Sequence, residues 1–292
     1  MYNTRDFAGL FKHSFNSIAG TIADAARLYG RKSALVAAAF AIAAGSLPAA
    51  HAADSNDDIN LSNENLIVIL AAAHPFVTIK DSFHHLGGLD VALIKELQRR
   101  TGFKNKSGKY EIMSFGEMIQ LGRAGLADVV AGAITSTEER GKYYTIAEPY
   151  VYNSVVIVTR AGDRIKSTED LNGRTLAIQT GTNISGLTSK YPNIKTYETP
   201  STFMTFYAVS RGLADALIID EIIAREYIGS WPDCGLDVSA KLPDSEGGMA
   251  LLFKKDSPYT AKLMKAYQQM IDDGTVKKLV EQELRVYFSN NM

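Results

Sequence analysis

Residues 128–150, DVVAGAITSTEERGKYYTIAEPY, decide how the rest of the chain is read. Val129 to Ile134 is a short apolar run of the kind that forms a buried strand. It breaks into Thr135, Ser136 and Thr137, delivers one arginine, Arg140, and reaches a Pro-Tyr turn at Pro149. A buried strand ending in hydroxyls and an arginine has the groups to hold a carboxylate. Guanidinium offers a planar fork of donors, and hydroxyls and loop N–H groups fill the remaining lone pairs. The stretch reads as the anion-binding half of a small-molecule cleft.

Upstream, residues 66–70 (LIVIL) form a buried strand that must end in a loop, because Pro75 pushes His74 out of the α region. Gly87-Gly88 opens a helix with Leu89, Ala92, Leu93 and Leu97 on its apolar side, closed by Gly102. Residues 110–114 are another strand, with Phe115 at its end and a helix behind it. Strand, helix, strand, helix, strand is the order of a parallel sheet covered by helices. After Tyr152 the pattern restarts, with strands at 154–159, 174–179, 195–198 and 214–219. Helices are expected between them at 184–189 and 202–211, and another runs through Ile222, Ile223 and Tyr227. A coda of one strand (249–254) and two helices (258–272, 276–284) is too small to stand alone and is expected to complete the first sheet. The expectation is an α/β protein of two lobes, each a mostly parallel sheet flanked by helices. Lobe I would comprise 66–153 and 243–292, and lobe II 154–242. Crossovers near Asn153 and Leu242 would leave a hinged cleft between them.

The 292 residues are 46% hydrophobic with a net charge of -1, which suits a globular protein of one large or two modest domains. No basic block or aromatic-and-basic stripe marks a nucleic-acid partner. A single cysteine, Cys234, excludes an internal disulfide and a cysteine-based zinc cluster. Near the start, Arg31 and Lys32 precede an apolar run at 34–47, then Pro48 and Ala50-His51-Ala52. These are the parts of a secretory signal peptide, and the run is shorter than the ~20 residues a spanning helix needs. Residues 1–52 are therefore expected to be a signal peptide with a long n-region, cleaved after Ala52. Residues 53–65 would be a flexible leader, and the product a soluble exported protein.

In open α/β sheets, ligands sit beyond the carboxyl ends of the strands. Collected there are residues 73–76, Phe115, 133–140, 179–183 and Asp220. Beside Glu138 and Glu139, one arginine, Asp220, several hydroxyls and two aromatics make a receptor for a zwitterion. Arg140 with Thr135 would take a carboxylate, Thr182 at a helix N-terminus would add donors, and Asp220 would take an ammonium. Two plainer readings stay open. Asp220 also stands where it would cap the next helix, and a phenylalanine placed like Phe115 is ordinarily core.

From Leu66 onward the chain resembles the family 3 periplasmic solute-binding proteins, the amino-acid receptors of ABC importers. The likeness rests on GLDVALIKEL, AGAITSTEER with AEPY, KSTEDLNGRTLAIQTGT, GLADALIIDE and DDGTVKKLVEQ, in that order. It implies the type II periplasmic-binding fold, an inner-membrane permease as partner, no cofactor and no catalysis. It also implies that Arg140 and Thr135 hold the ligand carboxylate with Thr182, that Asp220 holds the ammonium, and that Phe115 packs on the side chain. Leu70 and Ala73 depart from the family, since an aspartate and a tyrosine are common there. Ala133 stands where some members carry serine. The expectation drawn from these apolar positions is a neutral side chain. Two alternatives share the fold: a cyclohexadienyl or arogenate dehydratase, with Glu148, Glu198 or Glu221 as acid, and a ligand-sensing domain without transport. His74 and the Phe83-His84-His85 segment are expected in rim loops, not at a metal, because adjacent histidines on an extended segment point to opposite faces.

Overall fold

The computed structural model describes residues 57–82, 85–184, 193–243 and 245–289. The signal-peptide expectation, Phe83-His84 and most of the helix expected at 184–189 lie outside them.

Two five-stranded sheets carry the described chain. The first is built from β1 (Val68–Ala71), β2 (Glu111–Met113), β3 (Val129–Ala131) and β4 (Tyr144–Ile146). After a small hinge strand, β5 (Val151–Asn153), the second sheet takes β6 (Val155–Arg160), β7 (Thr175–Gln179), β8 (Lys195–Thr199), β9 (Ala216–Asp220) and β10 (Leu236–Lys241). The chain then returns through β11 (Gly247–Met249), paired antiparallel with β5, and β12 (Leu252–Lys254) joins the first sheet. Strand orders are β2-β1-β3-β12-β4 and β8-β7-β9-β6-β10. The return of the coda to the first sheet is thus observed directly.

Both sheets are mostly parallel, and each is mixed through one antiparallel strand. β12 runs antiparallel to β3 and β4, and β6 runs antiparallel to β9 and β10. The reason is the double crossover: a strand that enters a sheet from the other lobe arrives from the hinge end. β4 and β10 were also missing from the sequence reading, because their short stretches carry no continuous apolar run.

Helices cover the first sheet as the apolar spacing requires. α1 (Leu89–Thr101) buries Leu89, Val91, Leu93, Ile94 and Leu97, each a side chain whose full burial stabilises by about 2 kcal/mol. It starts at Gly88, where φ is 95° and a Cβ would collide with the carbonyls of Pro75 and Phe76. Only glycine fits there. α2 (Phe115–Arg123) opens with a capping box in which Ser114 and Glu117 satisfy each other's backbone N–H groups. A one-turn helix, α3 (Glu138–Gly141), precedes β4. In the second sheet, α4 (Thr202–Ser210) and α5 (Glu221–Ser230) pack side by side, with Phe206 stacked on Tyr227 at 4.6 Å. α6 (Thr260–Asp272) and α7 (Thr275–Glu283) lie against α1. No described helix is long and apolar enough to cross a membrane.

The leader expectation fails inside 53–65. Ile59 and Leu61 are buried, and the Leu61 N–H bonds to the Thr101 carbonyl at 2.7 Å. Their two apolar side chains had been outweighed by the acidic and amide residues around them.

The two lobes touch where the turn after β7 meets the start of α2. Gly181 sits at φ 86°, and a Cβ on it would lie 2.6 Å from Gly116 Cα. Gly181→Ala is therefore expected to strain the turn by about 1–2 kcal/mol and to hold the lobes apart. In thermal unfolding, the variant should show a smaller ligand-induced rise than the parent. An undiminished rise would show that closure does not use this contact.

Candidate functional site

Arg140 is positioned by its own short helix. Thr137 caps α3 by accepting the Arg140 N–H at 3.2 Å, which turns the side chain back toward the end of β3. The guanidinium donates to the Thr135 carbonyl and stands 5.8 Å over the Phe115 ring. Arg140 is only 6% exposed, whereas Glu138 and Glu139 beside it are exposed. Burial pulls its pKa down to about 10, with Asp220 pulling the other way, so the group stays cationic at neutral pH.

Asp220 ends β9 and is the N-cap residue of α5, yet its side chain makes no capping bond. Asn153 takes over that position: its carbonyl oxygen accepts the Ile222 N–H at 3.3 Å, and its amide donates to Asp220 Oδ1 at 3.2 Å. Asn153 thereby holds the carboxylate, which also feels the charge of Arg140 from the other lobe. Burial pushes Asp220 up to about 6, while Asn153 and Arg140 pull it down. Arg140 and Asp220 come from different sheets, and each shifts the other's titration. Asn153, on the hinge strand, was missed from sequence. Its only signal was an amide closing an otherwise apolar and aromatic run.

The loop between β3 and Thr135 is held from behind. Ala133 has a φ of 56°, a left-handed conformation that costs a non-glycine residue about 1–2 kcal/mol. Asp90 of α1, fully buried, accepts the Ala133 N–H at 2.9 Å. Burial raises Asp90 to about 6, opposed by the Tyr150 hydroxyl and the Ala133 and Gly132 N–H groups. Asp90 thus positions the loop that faces Arg140, a role its place in the GLDVALIKEL motif did not disclose.

The remaining expectations divide. Thr135 meets Arg140 through its carbonyl rather than its hydroxyl. The Thr182 hydroxyl donates to the Gln179 carbonyl at 2.8 Å and closes the turn after β7. Phe115 is a member of a core cluster and lies under the Arg140 guanidinium. Leu70 is wholly buried in the core, and Ala73 opens a tight turn closed by its two bonds with Val77. Neither Leu70 nor Ala73 presents a surface to the cleft, because strand and turn packing consume both. His74 is no loose rim residue: its Nε2 lies 3.3 Å from Glu226 Oε2 and its Nδ1 2.8 Å from Thr78 Oγ1. His85 is exposed and pairs with Asp81. Among the acids considered for catalysis, Glu148 and Glu198 are exposed. Glu221 is buried, which raises its pKa, but Arg225 at 2.6 Å and Lys241 at 3.2 Å outweigh that and leave it lowered. A lowered acid is a poor proton donor.

A buried guanidinium on one sheet and a carboxylate on the other can together hold a molecule that carries both charges. A model of the bacterial extracellular solute-binding proteins, family 3, matches residues 66–285. The arginine-binding extracellular protein ArtP of Bacillus subtilis (strain 168) is 28% identical over 77% of this chain and 88% of its own length. The ABC transporter arginine-binding protein 1 of Escherichia coli (strain K12) is 25% identical over 73% of this chain and 88% of its own. Among solved structures, an ancestral arginine-binding protein bound to arginine superposes with a TM-score of 0.67 at 28% identity, covering 76% of this chain and 98% of that one.

The raised acid on α1 yields a pH test. Its native pKa of about 6 lies above the unfolded carboxylate value of about 3.9. The native state therefore binds its proton more tightly. The stabilising contribution is complete below the unfolded value and is lost as pH rises through about 6. Asp90→Asn keeps an acceptor for the Ala133 N–H and should flatten the stability-versus-pH curve between those two values. A curve with the parent's slope would show that Asp90 does not titrate there.

Proposed function

We propose that this chain, which belongs to the bacterial extracellular solute-binding proteins, family 3, captures an α-amino acid between its lobes and delivers it to the permease of an ABC importer. The observation that carries this reading is the Arg140–Asp220 arrangement. Two opposite charges from different lobes act on each other, Arg140 steadied by Thr135 and Phe115, and Asp220 by Asn153. The ligand carboxylate pairs with Arg140, and its ammonium with Asp220. Closure removes water from both pairs and strengthens them, so affinity reports the difference between open and closed states. Export through residues 1–52, a periplasmic setting and a monomeric state belong to the same reading, and the site performs no chemistry on its ligand.

The class of side chain is a separate matter. Leu70 and Ala73 suggested a neutral one, but both are taken up by packing. The two curated relatives described above are named for arginine, which favours a basic side chain by analogy.

A thermal-shift panel of the twenty amino acids should give a clear rise for at least one of them. Arg140→Ala should weaken the best ligand by roughly 30-fold or more, the usual cost of removing one partner of a buried charge pair. Binding within a few-fold of the parent would mean that Arg140 does not hold the carboxylate. Affinity should also fall on acidification, because Asp220 must be ionised to take an ammonium and its pKa in the free protein is about 6. From pH 7.5 to pH 5 the loss should approach tenfold, one pKa unit's worth of free energy. Asp220→Asn should bind weakly with no such slope.

A further inference from the structure

A second polar contact spans the two lobes without belonging to the Arg140–Asp220 clamp. His74 lies in the loop after β1 of the first sheet and Glu226 on α5 of the second, with Nε2 and Oε2 3.3 Å apart. The Glu226 side chain is 14% exposed, against 41% for His74. An acid so enclosed ordinarily has its charge met. Among the described residues the imidazole is its one partner and reaches only Oε2. The other oxygen, Oε1, has none among them. His74 is itself fixed from the far side by Thr78.

The helix relates this acid to the one already placed. Asp220 stands at the N-cap position of α5, and Glu226 follows six residues later, about 9 Å along the axis at 1.5 Å per residue. Ile222 and Ile223 stand four and three residues before Glu226 and are buried. Residues at those spacings share a face. Glu226 thus lies on the packed side of α5, where it meets His74, and six residues set it about 120° around the helix from Asp220. A basic amino acid carries two cations, an α-ammonium and a second at the end of a methylene stem, and α5 offers two carboxylates about 9 Å apart along its axis.

We propose that Glu226 is a specificity-determining residue that receives the distal cation of a basic amino acid whose α-ammonium is held by Asp220. The inference rests on the amino-acid reading above and deepens it. His74 orients the carboxylate through Oε2, and Oε1 accepts an N–H of a guanidinium or ammonium. Neither Leu70 nor Ala73 offers an acid, so the charge that selects the side chain is supplied by the second lobe and meets the ligand only when the lobes close. A neutral side chain of the same shape would leave Glu226 desolvated with half its acceptors unmet. Buried polar groups left unpaired are how sites reject close analogues.

The test is calorimetric titration at pH 7.5 of the full mature protein and of Glu226→Gln, with arginine and with citrulline, its uncharged near-isostere. The parent should prefer arginine by about tenfold or more, and the variant should bring the ratio of the two affinities to about 1, as expected for loss of one enclosed charge pair. A parallel loss for both ligands would reduce the His74–Glu226 contact to a closing contact and overturn the proposal. A parent that does not discriminate would overturn it too. His74→Ala guards against an indirect effect: it should keep the arginine preference, and losing that preference would move selectivity to the imidazole. Neutral amino acids bound with arginine refused would sink the Glu226 assignment and leave the receptor reading standing. No amino acid bound at all would remove the receptor reading itself.

Discussion

Two opposite charges buried on separate sheets set the terms for the rest of this molecule. A guanidinium or a carboxylate taken out of water alone is costly, and each persists only where nearby groups satisfy it. Here the satisfying groups are specific. The Thr135 carbonyl and the Phe115 ring support Arg140, and the Asn153 amide supports Asp220. Asn153 sits on one of two short antiparallel strands that join the lobes, so the hinge and the acid share a residue. The lobes cannot move without changing how well these charges are met.

The supporting structure is paid for in backbone strain. Ala133 adopts a left-handed conformation that a glycine would enter more easily, and the buried Asp90 carboxylate holds its N–H there. Gly88 starts α1 where no side chain fits against the turn after β1. Strain of this kind gathers where the chain must present backbone or charge to a cleft. Both raised acids, Asp90 and Asp220, follow from the same burial. Glu221 shows the contrast: it is lowered because Arg225 and Lys241 reach it.

Much of the fold was legible because long apolar periodicities leave little choice. The helix opened by Gly88 and the restart after Tyr152 appear as read, whereas the run read as one strand at 66–70 divides into Asn65–Leu66 and Val68–Ala71. Short strands with polar residues, β4 and β10, were not legible, since their pairing is decided by neighbours far away in the chain. At the site, Arg140 and Asp220 were read from their places beyond strand ends. Asp90, Asn153 and Glu226 were not, because each works through a partner on another element. Leu70 shows the opposite error: a position that was read as pocket lining is core.

By itself the sequence determined the alternation of strands and helices, the two-lobe α/β class, and which chemical groups lie at the strand ends. Those follow from local periodicity and turn chemistry, which a chain carries whatever its neighbours. Only the tertiary structure decided the mixed strand directions, the packing of Ile59 and Leu61, and the use of Asn153 in place of Asp220 at the start of α5. Only it placed Glu226 against His74. A hydrogen bond or an ion pair between residues 67 or 152 positions apart leaves no mark in either local stretch, because the free energy that selects it belongs to the closed fold.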